Sequence, residues 1–231
     1  PVDSTEFELI STTDYLRKRR RSWQQGQEKI AILYASGTIV NGSSGQSLFG
    51  GEFIGDRSLN RHLREVQEDP SIKALVIRVN SPGGSGSASD AIWREVQKVK
   101  EAGKPVVISM SDYAASGGYY ISMGANHIFA QPGTLTGSIG VFGGKINIAG
   151  LYEKIGLNLH TYQRGKHSTL FSSTADFDEA QRGKYQSFLE SFYKIFVTKA
   201  SEGRNMSYEA LHEIAQGRVW TGEQALDLGL V

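Results

Sequence analysis

The sequence predicts an α/β domain built on a parallel sheet, and three observations lead there. Two runs, Lys73–Val79 (KALVIRV) and Pro105–Ser109 (PVVIS), are almost continuously apolar, as strands inside a parallel sheet are. Segments with apolar residues at helical spacing lie between such runs, and alternating strands and helices pair in parallel through right-handed crossovers. Each run also gives way to a cluster of small residues, NSPGGSGS at 80–87 and AASGG at 114–118.

Composition sets the frame. A chain of 231 residues, 39% of them hydrophobic, can bury one good core, or one domain plus an extension. A net charge of +1 gives no bulk attraction to nucleic acid or membrane. The absence of cysteine excludes disulfides, thiol catalysis and cysteine-based zinc sites. No apolar run is long enough to span a bilayer, and no signal peptide opens the chain. A start at Pro1 rather than Met leads us to expect a fragment of something longer.

Residues 1–28 read as a linker or extension, with a short strand at Phe7–Ile10 and a basic run at Arg17–Arg21. Such a run is usually a solvated face; against anionic lipid each basic residue would contribute roughly 1 kcal/mol. Without an apolar anchor beside it, the linker reading is preferred. The globular domain, 29–231, opens with strand Lys29–Tyr34, and the Gly/Ser-rich stretch 35–47 reads as a flexible excursion. Helix 56–68 follows, with Leu59, Leu63 and Val66 on one face and Asp69-Pro70 as its stop. Next come strand 73–79, helix 87–102, strand 105–110, helix 117–124 and strand 127–130. Strand 141–147, helix 148–155 and strand 157–163 complete the alternation. Helix 178–204 carries an aromatic stripe, Tyr185, Phe188, Leu189, Phe192 and Phe196, for which core packing is the default. Two short helices, capped by Ser207 and Thr221, end the chain.

Ser116 falls at a sharp strand-to-helix turn between Ala115 and Gly117-Gly118. Two readings fit it: an N-cap, which is the commoner role, or a nucleophile elbow outside the Gly-x-Ser-x-Gly pattern. Gly83-Gly84, after the earlier strand, can present backbone N–H groups to a ligand as an oxyanion hole requires. The same stretch lacks the Gly-Lys-Ser/Thr of a phosphate loop, which disfavours nucleotide binding. None of the five histidines, His62, His127, His160, His167 and His212, has a motif of its own.

SPGGS, DYAASGGYY and LTGSIGV, in this order, resemble the signal peptide peptidase A family of serine peptidases. The resemblance runs from about Lys29 to the C-terminus and includes RVWTGEQALDLGL at 218–230. It implies a crotonase/Clp-protease-like α/β fold of repeated β-β-α units. It further implies Ser116 as nucleophile, N–H groups of Gly84 and Gly117 as oxyanion donors, and a Ser–Lys dyad. Ser138 matches a serine that orients the lysine amine, although an ordinary turn serine fits equally well. The family's Gly-x-x-Lys loop corresponds to Gly165–Ser168, where Ser168 stands in the lysine's place and Lys166 is displaced by two residues. Lys166 therefore reads as solvated. Double-length members suggest another source, their N-terminal half supplying the lysine and their C-terminal half the serine. The resemblance thus implies peptide substrates, the N-terminal half of the same protein as partner, a homo-oligomer, and membrane association through a segment not in this chain. It implies no metal and no cofactor, and the charge balance predicts no nucleic-acid partner. Two alternatives remain: an acyl-CoA enzyme of the crotonase fold, and a non-catalytic half that only binds peptide or builds an assembly.

Overall fold

A computed structural model describes residues 28–47 and 50–231. The expected Phe7–Ile10 strand and the Arg17–Arg21 run lie outside the described residues. Within them the order is β1 Lys29–Ser36, β2 Thr38–Val40, β3 Gly45–Gln46, β4 Glu52–Gly55, α1 Asp56–Glu68, β5 Ile72–Ser81 and α2 Gly86–Glu101. There follow β6 Val106–Ala115, α3 Gly117–Ser122, β7 His127–Phe129, β8 Leu135–Gly137 and α4 Ala149–Lys154. The long helix α5 Glu179–Arg204, then α6 Tyr208–Ile214, β9 Val219–Thr221 and α7 Gly222–Asp227 complete the chain.

The main sheet runs β1-β5-β6-β8-β9, with β7 beside the first half of β6 and β8 beside its second half. All its pairings are parallel except β8 with β9. One face carries the core: Leu75, Ile77 and Val79 of β5 and Val106, Ile108 and Met110 of β6 pack with Ile92, Val96 and Val99 of α2 and Tyr119 and Ile121 of α3. The other face is only partly covered. Ile30, Ile32 and Tyr34 on β1 and Phe129 on β7 are exposed, so the continuously apolar strands have one buried side, not the two their sequence suggests.

The helix termini follow their sequence signals. Asp178 caps α5, Ser207 caps α6, and Thr221 with Gln224 forms a capping box on α7. At the end of α1, buried Lys104 donates to the carbonyls of Val66 and Asp69, both at 2.6 Å, placing a cation where the helix dipole favours one. The C-terminal segment reaches back under the centre of the domain. There the buried Tyr119 hydroxyl donates to Leu230 O at 2.9 Å.

Three expectations need correction. Residues 35–47 are not a bare excursion: β2 and β3 flank β4 in a three-stranded sheet, fastened to α1 by Gly42 N–H on Asp56 Oδ1 at 2.6 Å. Residues 141–147 and 157–163 form no strand. Both are apolar enough to look like strands, but neither meets a free sheet edge among the described residues, and their side chains stand out: Phe142, Ile146, Leu157, Leu159 and Tyr162 are all exposed.

Candidate active site

β6 runs five residues beyond its expected end and delivers Ser116 directly to the start of α3. Ser116 adopts φ 52° and ψ −117°, a combination rarely seen outside glycine and one that stores strain where it occurs in an ordinary residue. The surroundings hold it there. Its N–H donates to Gly137 O at 2.9 Å, and its carbonyl accepts the Tyr120 N–H at 2.8 Å. Its side chain makes no capping bond to α3, so the N-cap reading does not describe this serine. Ser116 instead lines a cavity.

Gly83 and Gly84 lie against that turn. A Cβ on Gly83 would sit 2.7 Å from Gly117 N and 2.9 Å from Ser116 Cβ, and one on Gly117 would sit 3.2 Å from Gly84 N. Only glycines permit this approach, and φ of +106° and +148° at Gly83 and Gly84 demands them again. The loop is pinned to β2 by Ile39 N–H on Gly83 O and Ser85 N–H on Ile39 O, both at 2.8 Å. That pattern leaves the Gly84 N–H outside the ladder. The Gly117 N–H, at the first position of α3, has no intrahelical acceptor. The structure therefore brings Gly84, Ser116 and Gly117 together, with two N–H groups unspent in secondary structure.

These residues open onto a cavity of about 450 Å³. The aromatic stripe of α5 is part of its wall: Tyr185, Phe188, Leu189 and Phe192 line it, together with Val141 and Phe142. Of the stripe, only Phe196 is fully buried, so most of what reads as core in the sequence is cavity wall. Among the described residues, no Lys, His, Asp or Glu lines the cavity. Lys166 is exposed, and Ser168 closes its own loop by donating to Gly165 O at 2.9 Å.

Ser138 stands close by without lining the cavity. In the β6–β8 ladder Ala115 is level with Gly137, so Ser116 and Ser138 are each the first residue beyond the ends of neighbouring strands. Ser138 too has positive φ, 49°, and its N–H donates to Arg218 O at 2.7 Å.

One group beside the cavity was not signalled by sequence. The hydroxyl of Tyr120, whose ring lines the cavity, donates to Asp90 Oδ1 at 2.7 Å. Lys199 pairs with the same oxygen, and Arg94 Nε reaches Asp90 Oδ2 at 2.7 Å. Burial pushes the Asp90 carboxyl up, but hydrogen bonds from Lys199, Tyr120 and Arg94 outweigh it and hold the carboxyl below its ordinary range. Burial, reinforced by Asp90, pushes the Tyr120 hydroxyl far above its ordinary value. In the sequence, Asp90 and Arg94 look like a solvated i, i+4 pair; only the fold brings Tyr120 and Lys199 to them.

Residues 98–231 match the model for peptidase family S49. The chain belongs to that family. Similar proteins include the chloroplastic serine protease SPPA of Arabidopsis thaliana, 42% identical over 228 residues, covering 96% of this chain and 33% of that protein. Protease 4 of Salmonella typhi is 41% identical over 202 residues, 87% of this chain and 32% of that one. The chain thus spans about a third of the length of these curated relatives. A ClpP1 mutant from Listeria monocytogenes superposes with a TM-score of 0.52 at 16% identity, covering 94% of this chain and 93% of that one. At that identity the likeness establishes the Clp-protease-like fold alone.

Proposed function

We propose that this S49 chain is the serine-bearing part of a serine peptidase that degrades cleaved signal peptides or similar short apolar peptides. The observation that carries the proposal is Ser116 itself, strained at a strand-to-helix turn beside the unspent N–H groups of Gly84 and Gly117. Strain of this kind persists where the surroundings impose it and clusters at active sites. In this reading Ser116 Oγ attacks the peptide carbonyl while a neutral lysine amine takes its proton. The two N–H groups receive the oxyanion. The lysine then protonates the leaving amine, and water hydrolyses the acyl-enzyme ester. Apolar substrates suit a cavity walled by Phe188, Leu189 and Phe192.

The lysine comes from outside this chain in this reading, from the N-terminal half of a double-length protein. In support, no basic side chain among the described residues lines the cavity, and Lys166 is solvated. Ser138, which follows the end of β8 as Ser116 follows the end of β6, would orient the amine. The exposed apolar side chains Phe142, Leu157, Leu159 and Tyr162 favour assembly with further copies or with the other half, which would cover them. No helix among the described residues is long and apolar enough to cross a membrane. Membrane association, as suits apolar signal-peptide substrates, would come through a segment not in this chain.

Labelling of the assembled enzyme with a fluorophosphonate tests the proposal. The expected result is one labelled residue, Ser116, with labelling and turnover of an apolar peptide ester both lost in Ser116→Ala while the melting temperature holds. Near-normal turnover in Ser116→Ala would refute it. An unlabelled but peptide-binding protein would point to the non-catalytic reading.

A further inference from the structure

We infer that Asp90 is a positioning residue that keeps the Gly84 and Gly117 donors aligned by tying α2 to α3 and α5. The inference deepens the reading of Ser116 as nucleophile and rests on it. The two donors come from different parts of the chain. Gly84 lies two residues ahead of α2, on a loop hung from β2, whereas Gly117 opens α3 at the end of β6. Their separation therefore depends on how α2 sits against α3.

Asp90, in the second turn of α2, is where that relation is set. Tyr120 of α3 donates to its Oδ1, Lys199 of α5 pairs with the same oxygen, and Arg94 holds Oδ2. The Tyr120 ring stacks on Phe192, centroids 5.9 Å apart, and tilts against Phe196 at 4.6 Å. The Lys199 ammonium also sits 3.8 Å from the centre of the Trp93 ring. One carboxylate thus joins the helix behind Gly84, the helix begun by Gly117, and the helix that walls the cavity. Neighbouring Ser89, fully buried, donates to Ser85 O at 2.9 Å and fills the space that a Gly117 Cβ would need.

Mostly buried ion pairs contribute little net stability, because desolvation offsets the attraction. What a hydrogen-bonded carboxylate at a three-helix junction supplies is a fixed geometry. The phenol suits the task, since its raised pKa keeps it a donor at every working pH.

Tyr120→Phe in the assembled enzyme keeps the ring and removes the link. The expected loss is about tenfold in kcat, a fraction of the 10²–10³ lost when an oxyanion donor is removed outright. KM for an apolar peptide ester should stay within about twofold, because the ring that lines the cavity remains. Labelling of Ser116 by a fluorophosphonate, which draws on the same donors, should slow by a similar factor. Asp90→Ala should lose at least as much, and Asp90→Asn, which keeps an oxygen to accept from Tyr120, should recover part of it. If Tyr120→Phe lowers only the melting temperature, or raises KM alone, Asp90 serves packing or binding and the inference fails. If the unmodified enzyme is never labelled at Ser116, the nucleophile reading fails first and takes this inference with it.

Discussion

Replacing Gly117 by alanine should disable the site while leaving the fold in place. The added Cβ would lie 2.6 Å from Ser89 Oγ and 3.2 Å from both Gly83 Cα and Gly84 N. Ordinary contact for such atoms begins near 3.4 Å, so relief requires a shift approaching 1 Å. Ser89 cannot easily supply it, being fully buried with its hydroxyl bound to Ser85 O. The shift therefore falls on the Gly83–Gly84 loop, which carries one of the two proposed donors. A misplacement of about 1 Å costs on the order of 10² in rate, and a donor lost outright costs about 10²–10³. The expectation is a kcat lower by that range, with KM little changed. Alanine is the better helix former by roughly 0.5–1 kcal/mol, so the melting temperature should fall only slightly. Initial rates on an apolar peptide ester and a thermal melt of the assembled enzyme make the comparison. Adding Ser89→Ala removes the worst contact and should restore part of the rate. Turnover of Gly117→Ala within a few-fold of the parent would refute the placement of the donors.

Residues 1–231 alone should turn over slowly at best, since general-base assistance is worth about 10²–10⁴-fold. Adding the proposed N-terminal half should restore activity that rises toward alkaline pH, and Lys166→Ala should leave the restored enzyme unchanged; full activity of 1–231 abolished by Lys166→Ala would identify Lys166 as the base. Phe188→Ser should raise KM for apolar peptides about five- to tenfold with kcat kept, because an exposed wall residue gives up about 1 kcal/mol of apolar contact. Asp90 has a depressed carboxyl pKa in the folded state, so its contribution to stability is complete above the unfolded value of about 3.9 and fades as pH falls below it. The difference in urea midpoint between the parent and Asp90→Asn should accordingly narrow below about pH 4, and a constant difference down to pH 2 would contradict the ion pair.

The legible parts of this fold are those decided locally. Leu59, Leu63 and Val66 mark α1 by their spacing, and Ser207 and Thr221 cap their helices as expected. The strand-to-helix turn at Ser116 was legible as well, because the close approach there requires small residues on either side of it. What escaped was whatever depends on a distant partner. Leu157–Gln163 has the residue types of a strand, but a strand also needs an edge to pair with. The small sheet of β2, β3 and β4 hides in a Gly/Ser-rich stretch whose composition suggests a loop. The aromatic stripe of α5 reads as core because periodicity shows that a face is apolar without showing whether protein or cavity meets it. The Asp90 junction joins residues 30 and 109 positions apart, and no local pattern records that.

The bond from Tyr119 to Leu230 links positions 111 residues apart, and it bears on how the site comes into being on the ribosome. Tyr119 lies three residues after the elbow serine, fully buried, with its hydroxyl satisfied by the Leu230 carbonyl. β8, which receives the Ser116 N–H through Gly137, is itself flanked by β9 at Val219–Thr221. A nascent chain that has exposed Ser116 but not yet Leu230 therefore has the proposed nucleophile and lacks its supports, the Tyr119 hydroxyl being without the acceptor whose absence on burial costs about 1–3 kcal/mol. Synthesis from the N-terminus thus delays completion of the elbow until more than a hundred further residues have emerged. On the reading proposed above, a peptidase for short apolar peptides in this way stays unfinished until its C-terminal segment has emerged.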